Sequence, residues 1–207
     1  MVKLIVHEEK MVKPKGLKKS QINLEKLQEY FFADDYENLN LLDHIKIEHN
    51  KKKLSLLYPG SGADIFFPLV YLEKLFPHVK KAKFIFVDYE DNLGLIKTVL
   101  DEVGVSFKGN KKKISFYWKE QLIKLYFISK TIETHLPKQK SVDVYFERAF
   151  RLMRDDLPHY EESIITKLNP GGIIISDTGF NNHNLQEVIV PKQLSSYGEM
   201  FMGVKST

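Results

Sequence analysis

Cysteine is absent from this 207-residue chain. Disulfides, thiolate metal sites and cysteine nucleophiles are excluded with it, so any chemistry runs on oxygen, nitrogen or a bound cofactor. There is also no apolar run near the roughly 20 residues that span a bilayer, and the apolar part of Met1-Val-Lys-Leu-Ile-Val-His7 is too short for a secretory signal. A cytoplasmic chain without a membrane partner is the expectation. The seven histidines give no metal-binding spacing, since His44 and His49 fall on different faces of a helix.

What is present suits one substantial core. The net charge of +4 and the pI near 8.9 are mildly basic. The lysines come in clumps, such as Lys51-Lys52-Lys53 and Lys111-Lys112-Lys113. Such clumps read first as solvated turns that discourage strand edges from pairing. RNA is the other partner they allow, with Tyr117 and Trp118 as stacking faces, although aromatics on a hairpin more often pack a core or a dimer interface.

The stretch Leu54-Ser-Leu-Leu-Tyr-Pro-Gly-Ser-Gly-Ala-Asp64 organises the chain. It reads as a buried strand, Lys53 to Tyr58, running into a Gly-x-Gly turn where Gly60 and Gly62 can take positive φ and let a ligand approach the backbone. Before it lies an N-terminal appendage, residues 1–50. This holds a short strand at Met1 to His7, a basic connector at Lys13 to Lys19, and a helix capped by Ser20 with Ile22, Leu24, Leu27, Tyr30 and Phe31 on one face. Asn38 to His49 fits either a helix or a strand. After the turn, a helix beginning at Pro68 leads to the strand Lys83 to Asp88, completing the spacing of a βαβ unit. A second helix closes at Gly104. The runs at Lys113 to Trp118 and Leu122 to Ile128 form a hairpin whose second strand joins the main sheet. Thr131 to Leu136 fits a short helix. Further strands are expected at Ser141 to Phe146 and at Ile173 to Asp177, the latter after a hard stop at Asn169-Pro-Gly-Gly172. Two antiparallel strands near Leu185 to Val190 and Met200 to Lys205 end the chain.

This order resembles the class I S-adenosylmethionine-dependent methyltransferases, a superfamily with a Rossmann-like three-layer α/β fold. The likeness is carried by Leu57-Tyr-Pro-Gly-Ser-Gly-Ala-Asp64, Phe86-Val-Asp88, Ser141-Val-Asp-Val-Tyr-Phe-Glu147 and Leu168-Asn-Pro-Gly-Gly-Ile-Ile-Ile-Ser-Asp177. It implies a mostly parallel sheet over residues 51–207, with an antiparallel C-terminal strand pair, a hairpin insertion and a small N-terminal helical appendage. It also implies S-adenosylmethionine as cofactor and S-adenosylhomocysteine as product. Gly60, Ser61 and Gly62 would face the methionine and ribose portion, Asp88 the ribose hydroxyls and Tyr89 the adenine. Glu147 and Arg148 would border the substrate opening.

Three positions depart from the pattern. Tyr58 stands where the family has an acid for the cofactor's amino-acid end, and Asp64 is the candidate replacement for the ammonium group. Ser129-Lys130 stands where an acid commonly meets the adenine amino group. His183, in the loop after the fifth strand, is a surface residue on the ligand side and a candidate substrate contact. The amino-group methyltransferase motif is missing, Phe146-Glu-Arg-Ala149 taking its place, so adenine or glutamine methylation has no support. A single Asp177-Thr178-Gly179 does not make an aspartic protease. The expected activity is methyl transfer to an acceptor that no motif names. A Rossmann-like binding or scaffold protein without the cofactor is the alternative. An NAD-dependent oxidoreductase is disfavoured, because the third glycine is missing.

Overall fold

The strands are β1 (Lys53–Pro59), β2 (Lys81–Asp88), β3 (Phe107–Gly109), β4 (Lys113–Trp118), β5 (Gln121–Ser129), β6 (Val142–Glu147), β7 (Leu168–Ser176), β8 (Gln186–Glu187) and β9 (Phe201–Val204). A computed structural model of the chain describes residues 8–19, 21–181 and 183–206; the strand expected at Met1 to His7 and the cap expected at Ser20 lie outside them. Among the described residues the strands form one sheet in the order β3-β4-β5-β2-β1-β6-β7-β9-β8. β5, β2, β1, β6 and β7 are parallel. β9 runs antiparallel to both β7 and β8, as expected for the end of the chain. The hairpin insertion extends the other edge through antiparallel β3 and β4.

Strand periodicity divides the core into two layers. In β1, Leu54, Leu56 and Tyr58 join the larger apolar cluster, while Leu57 joins the smaller one with Ile85, Val87 and Tyr145. Helices α3 (Phe66–Leu75) and α4 (Leu93–Glu102) contribute to the larger layer, and α7 (Tyr160–Lys167) to the smaller. Eight of the ten residues of α3 are buried, because the N-terminal segment covers the side turned away from the sheet. Leu27, Phe31, Leu39 and Leu42 belong to the same cluster as the sheet, so residue 50 marks a change along the chain and not a gap in the packing.

Several local expectations are corrected. α3 begins at Phe66, two residues before Pro68, and the proline sits in the first turn, where its missing N–H has no helical acceptor to lose. The first helix shrinks to α1 (Leu24–Gln28), capped by Asn23 through the Lys26 N–H at 3.0 Å, and Leu24 is exposed. α2 (Ala33–Asn38) escapes sequence reading because Asp34, Asp35, Glu37 and Asn38 leave it no apolar stripe; the ambiguous segment after it becomes a 3-10 turn, Leu39–His44. α7 ends at Lys167, just before Asn169-Pro-Gly-Gly172, but these four residues already belong to β7, whose pairing with β6 shifts register between Val142 and Val144. Such an irregularity tolerates a proline that cannot donate to the ladder.

The closure at Gly104 holds. Gly104 has φ +83°, its N–H reaches the Asp101 carbonyl at 2.9 Å, and the Val105 N–H reaches Leu100 at 2.8 Å. This is a Schellman termination of α4.

Candidate cofactor site

The parallel strands place their C-terminal ends together, and the strand order reverses between β1 and β6. In open α/β sheets that junction forms the ligand crevice. The β1 turn is built as the sequence suggests: Gly60 has φ +57° and Gly62 φ +49°, and the Gly60 N–H donates to the Val87 carbonyl at 2.8 Å. Asp88 closes the turn from β2. Its Oδ2 accepts the Gly62 N–H at 2.7 Å and its Oδ1 the Glu90 N–H at 3.1 Å. A carboxylate offers about four acceptor directions, so those two bonds leave capacity for two donors from a ligand.

A cleft of about 270 Å³ opens beside this turn. Gly60, Asp88, Tyr89, Lys130, Glu133 and Met153 line it, together with Phe150. Tyr89 is exposed, its ring free to cover a planar group. Glu133 is the first acid after β5, one helical turn beyond the Ser129-Lys130 that replaced the expected one. It lies on α5 (Ile132–His135), the short helix expected after β5. Glu133, Phe150 and Met153 are site residues that sequence reasoning missed, since helix and loop positions carry no spacing rule that aims them at a cleft.

Across the turn the arrangement is different. Tyr58 is buried, its ring edge-on to Phe86 and Phe146, and its hydroxyl donates to Asp64 Oδ2 at 2.7 Å. Burial, with Asp64 beside it, raises the phenol's pKa well above its ordinary value. Asp64 Oδ2 also meets Arg148 Nη1 at 3.4 Å, and Oδ1 accepts the Phe67 N–H at 3.4 Å. Arg148 lies over the Phe67 ring with Cζ 3.2 Å from the centroid, and it approaches Asp35 at 3.9 Å and Asp177 at 3.5 Å. Burial raises the Asp177 pKa against the Ala149 N–H and Arg148, which hold it down. Asp64 and Arg148 border a second cleft of about 270 Å³ with Tyr30, Phe32, Asp35 and Phe67 in its wall. Asp64, the candidate partner for the ammonium group, already faces a cation of the chain in Arg148. Ser61 is buried, and its hydroxyl has no hydrogen-bond partner among the described residues.

Glu147 and Arg148 are neighbours in sequence but face opposite sides of the sheet. Glu147 does not border an opening; it is 0% exposed and accepts from Tyr145 Oη at 2.5 Å, Arg154 Nη1 at 2.5 Å and Ser176 Oγ at 2.6 Å. Burial raises its pKa, with Arg154 pulling the other way. Arg154, on α6 (Arg151–Asp155), also donates to the Gly179 carbonyl at 2.7 Å and approaches Glu161 at 3.2 Å. His183 belongs to this network: its Nε2 lies 2.9 Å from Glu161 Oε2, which also accepts the Asn181 amide. The structure therefore brings Gly60, Gly62, Asp88 and Tyr89 to one cleft and Asp64 with Arg148 to another, and assigns Glu147 and His183 to a structural network. Trp118 is buried and donates to Glu73 at 3.0 Å, as a core aromatic does.

The strand order, parallel through β5-β2-β1-β6-β7 with antiparallel β9 inserted before β8, decides the fold. It is the Rossmann-like fold of the class I methyltransferases. No protein-family model matches the chain, and no curated protein does. Among solved structures, a methyltransferase from Geobacter sulfurreducens is 13% identical with TM-score 0.49, over 89% of this chain and 86% of that one. An rRNA methylase from Streptococcus thermophilus is 11% identical with TM-score 0.47, over 86% and 99%. A precorrin-6y C5,15-methyltransferase from Geobacter metallireducens is 12% identical with TM-score 0.41, over 69% of this chain, which spans only 60% of that one. Among the described residues no helix is long and apolar enough to cross a membrane, and no cluster of three His, Asp or Glu can hold a metal.

Proposed function

We propose that the chain is an S-adenosylmethionine-dependent methyltransferase that holds the nucleoside half of its cofactor in the cleft between Gly60, Asp88 and Glu133. The observation that carries this reading is Asp88, fixed by the Gly62 and Glu90 N–H groups with acceptor capacity left over at the mouth of the cleft. Ribose hydroxyls would donate to Asp88, Tyr89 would cover the base, and Glu133 and Lys130 offer polar contacts at its edge. The orphaned Ser61 hydroxyl and the glycine turn suit a ligand that comes close to the backbone. When bound, the cofactor supplies an electrophilic methyl group, and the chain's part is to position the acceptor in line with it. The acceptor side is the Asp35, Asp64 and Arg148 cleft, and S-adenosylhomocysteine is the product.

Calorimetric titration with S-adenosylmethionine and S-adenosylhomocysteine tests the reading. Micromolar binding, on the order of −8 kcal/mol, is expected for the wild type. Asp88→Ala and Gly60→Val are expected to abolish it, the second because a side chain at Gly60 combines positive φ with a Cβ only 2.5 Å from the Phe150 ring. Absence of heat and of thermal shift at high ligand concentration would instead favour a binding or scaffold role for the fold.

A further inference from the structure

Phe150 stands where an extended ligand would pass. A Cβ at Gly60 would lie 2.5 Å from Phe150 Cδ2 and 2.9 Å from Cε2, so the ring rests directly on the glycine that otherwise leaves room for a ligand. Phe150 is 3% exposed and packs on Tyr160 at 6.0 Å between centroids, yet it also lines the nucleoside cleft with Gly60 and Met153. At about 270 Å³ the cleft is below the roughly 300–1,000 Å³ usual for whole-ligand sites, enough for a nucleoside and short of room for one with a long 5′ substituent.

The backbone on either side of the ring is anchored by polar contacts, and the ring itself is held by apolar packing alone. Arg148 is held by Phe67 and three carboxylates, and the Ala149 N–H donates to Asp177 Oδ1 at 2.8 Å. Arg154 is fixed by Glu147 and the Gly179 carbonyl. Between these anchors Ala149 takes φ +50°, a conformation that costs about 1–3 kcal/mol for a residue other than glycine. Leu152 and Met153 are exposed. The Phe150 side chain is held by apolar packing alone, so displacing it breaks no hydrogen bond or ion pair.

We infer that Phe150 is a specificity-determining plug: it fills the 5′ side of the nucleoside cleft, and a ligand with a long 5′ substituent binds only by displacing it. This rests on the reading that the cleft holds a nucleoside. Adenosine would bind with the ring in place, whereas S-adenosylhomocysteine would bind only to the fraction of molecules in which it has swung away.

The test is calorimetric titration of the full chain with adenosine and with S-adenosylhomocysteine, for the wild type, Phe150→Leu and Phe150→Trp. Leucine keeps an apolar contact with Tyr160 but is too short to cover Gly60. It should tighten S-adenosylhomocysteine binding relative to adenosine by roughly ten- to a hundredfold, the penalty removed when an open state populated at about 1–10% becomes the only one. Tryptophan should weaken S-adenosylhomocysteine relative to adenosine, and a cooperative thermal melt with wild-type circular dichroism reports that both variants are folded. Equal effects on the two ligands, or no effect on S-adenosylhomocysteine in either variant, overturn the plug while leaving the nucleoside reading intact. Failure of all three proteins to bind either ligand overturns both.

Discussion

Replacing Arg154 with methionine removes the only cation in contact with Glu147 among the described residues, and Glu147 is a carboxylate with no exposure at all. The guanidinium is itself 5% exposed, so solvent screening is weak on both sides of the pair. Breaking a buried pair by deleting one partner costs about 3–5 kcal/mol, because the remaining charge is stranded. Against a total stability of about 5–15 kcal/mol, that is a large share, and for a chain of this length it lowers Tm by roughly 6–20 °C. Denaturant unfolding measures it directly. Adding Glu147→Gln to Arg154→Met should recover part of the loss, since the amide carries no charge, its oxygen accepts from one of the Tyr145 and Ser176 hydroxyls, and its NH2 can donate to the other. The pH dependence has a definite sign. Burial already raises the Glu147 pKa, and loss of Arg154 raises it further. A carboxyl with a raised folded-state pKa contributes stability that is present at low pH and lost as pH rises through that value. The deficit of Arg154→Met should therefore be smaller near about pH 5 than near about pH 8. A loss under about 1 kcal/mol, as for a surface pair, or a deficit equal at both pH values, would refute the view that this pair sits in a low-dielectric core.

Asp143 shows the opposite sign. Burial pushes its pKa up, but Lys51, the Ser55 N–H and hydroxyl, and Asn169 outweigh burial and hold it below the usual value. Asp143→Ala should cost about 2–4 kcal/mol at neutral pH, and the gap from wild type in denaturant melts should close as pH falls below about 4, where the wild-type carboxylate protonates. A gap that persists in acid would contradict this. Tyr58→Phe removes the hydroxyl that donates to Asp64 at 2.7 Å and should lose about 2 kcal/mol by the same assay; an unchanged midpoint would mean that Arg148 alone satisfies Asp64. Gly104→Ala forces an L side chain to φ +83° with its Cβ 3.2 Å from the Gln21 carbonyl, so a loss of about 1 kcal/mol or more is expected, and a gain would contradict the Schellman geometry.

Much of the site is legible in the amino-acid sequence alone. Gly60 and Gly62 follow an apolar strand, and Asp88 ends the next one. Backbone sterics and strand periodicity are local, and they suffice to bring these residues to one turn. Positions off the periodic elements are not legible in this way. Glu133, Phe150 and Met153 reach the cleft from short helices and a loop, where no repeat fixes the direction of a side chain.

The sequence by itself determined the order of the main strands from Lys53 onward, the glycine turn and the antiparallel end, because each is encoded in apolar periodicity or in residues with restricted φ. Only the tertiary structure decided what the polar residues do. Glu147 and Arg148 are adjacent, yet the period of two along β6 sends one into a buried pair with Arg154 and the other to a cleft with Asp64. Tyr58, read as a missing acid, proves to be the hydrogen-bond donor that occupies Asp64. Phe150 meets Gly60 across 90 residues of chain. Contacts of that kind depend on how separate elements pack, and a single sequence carries no local signal for them.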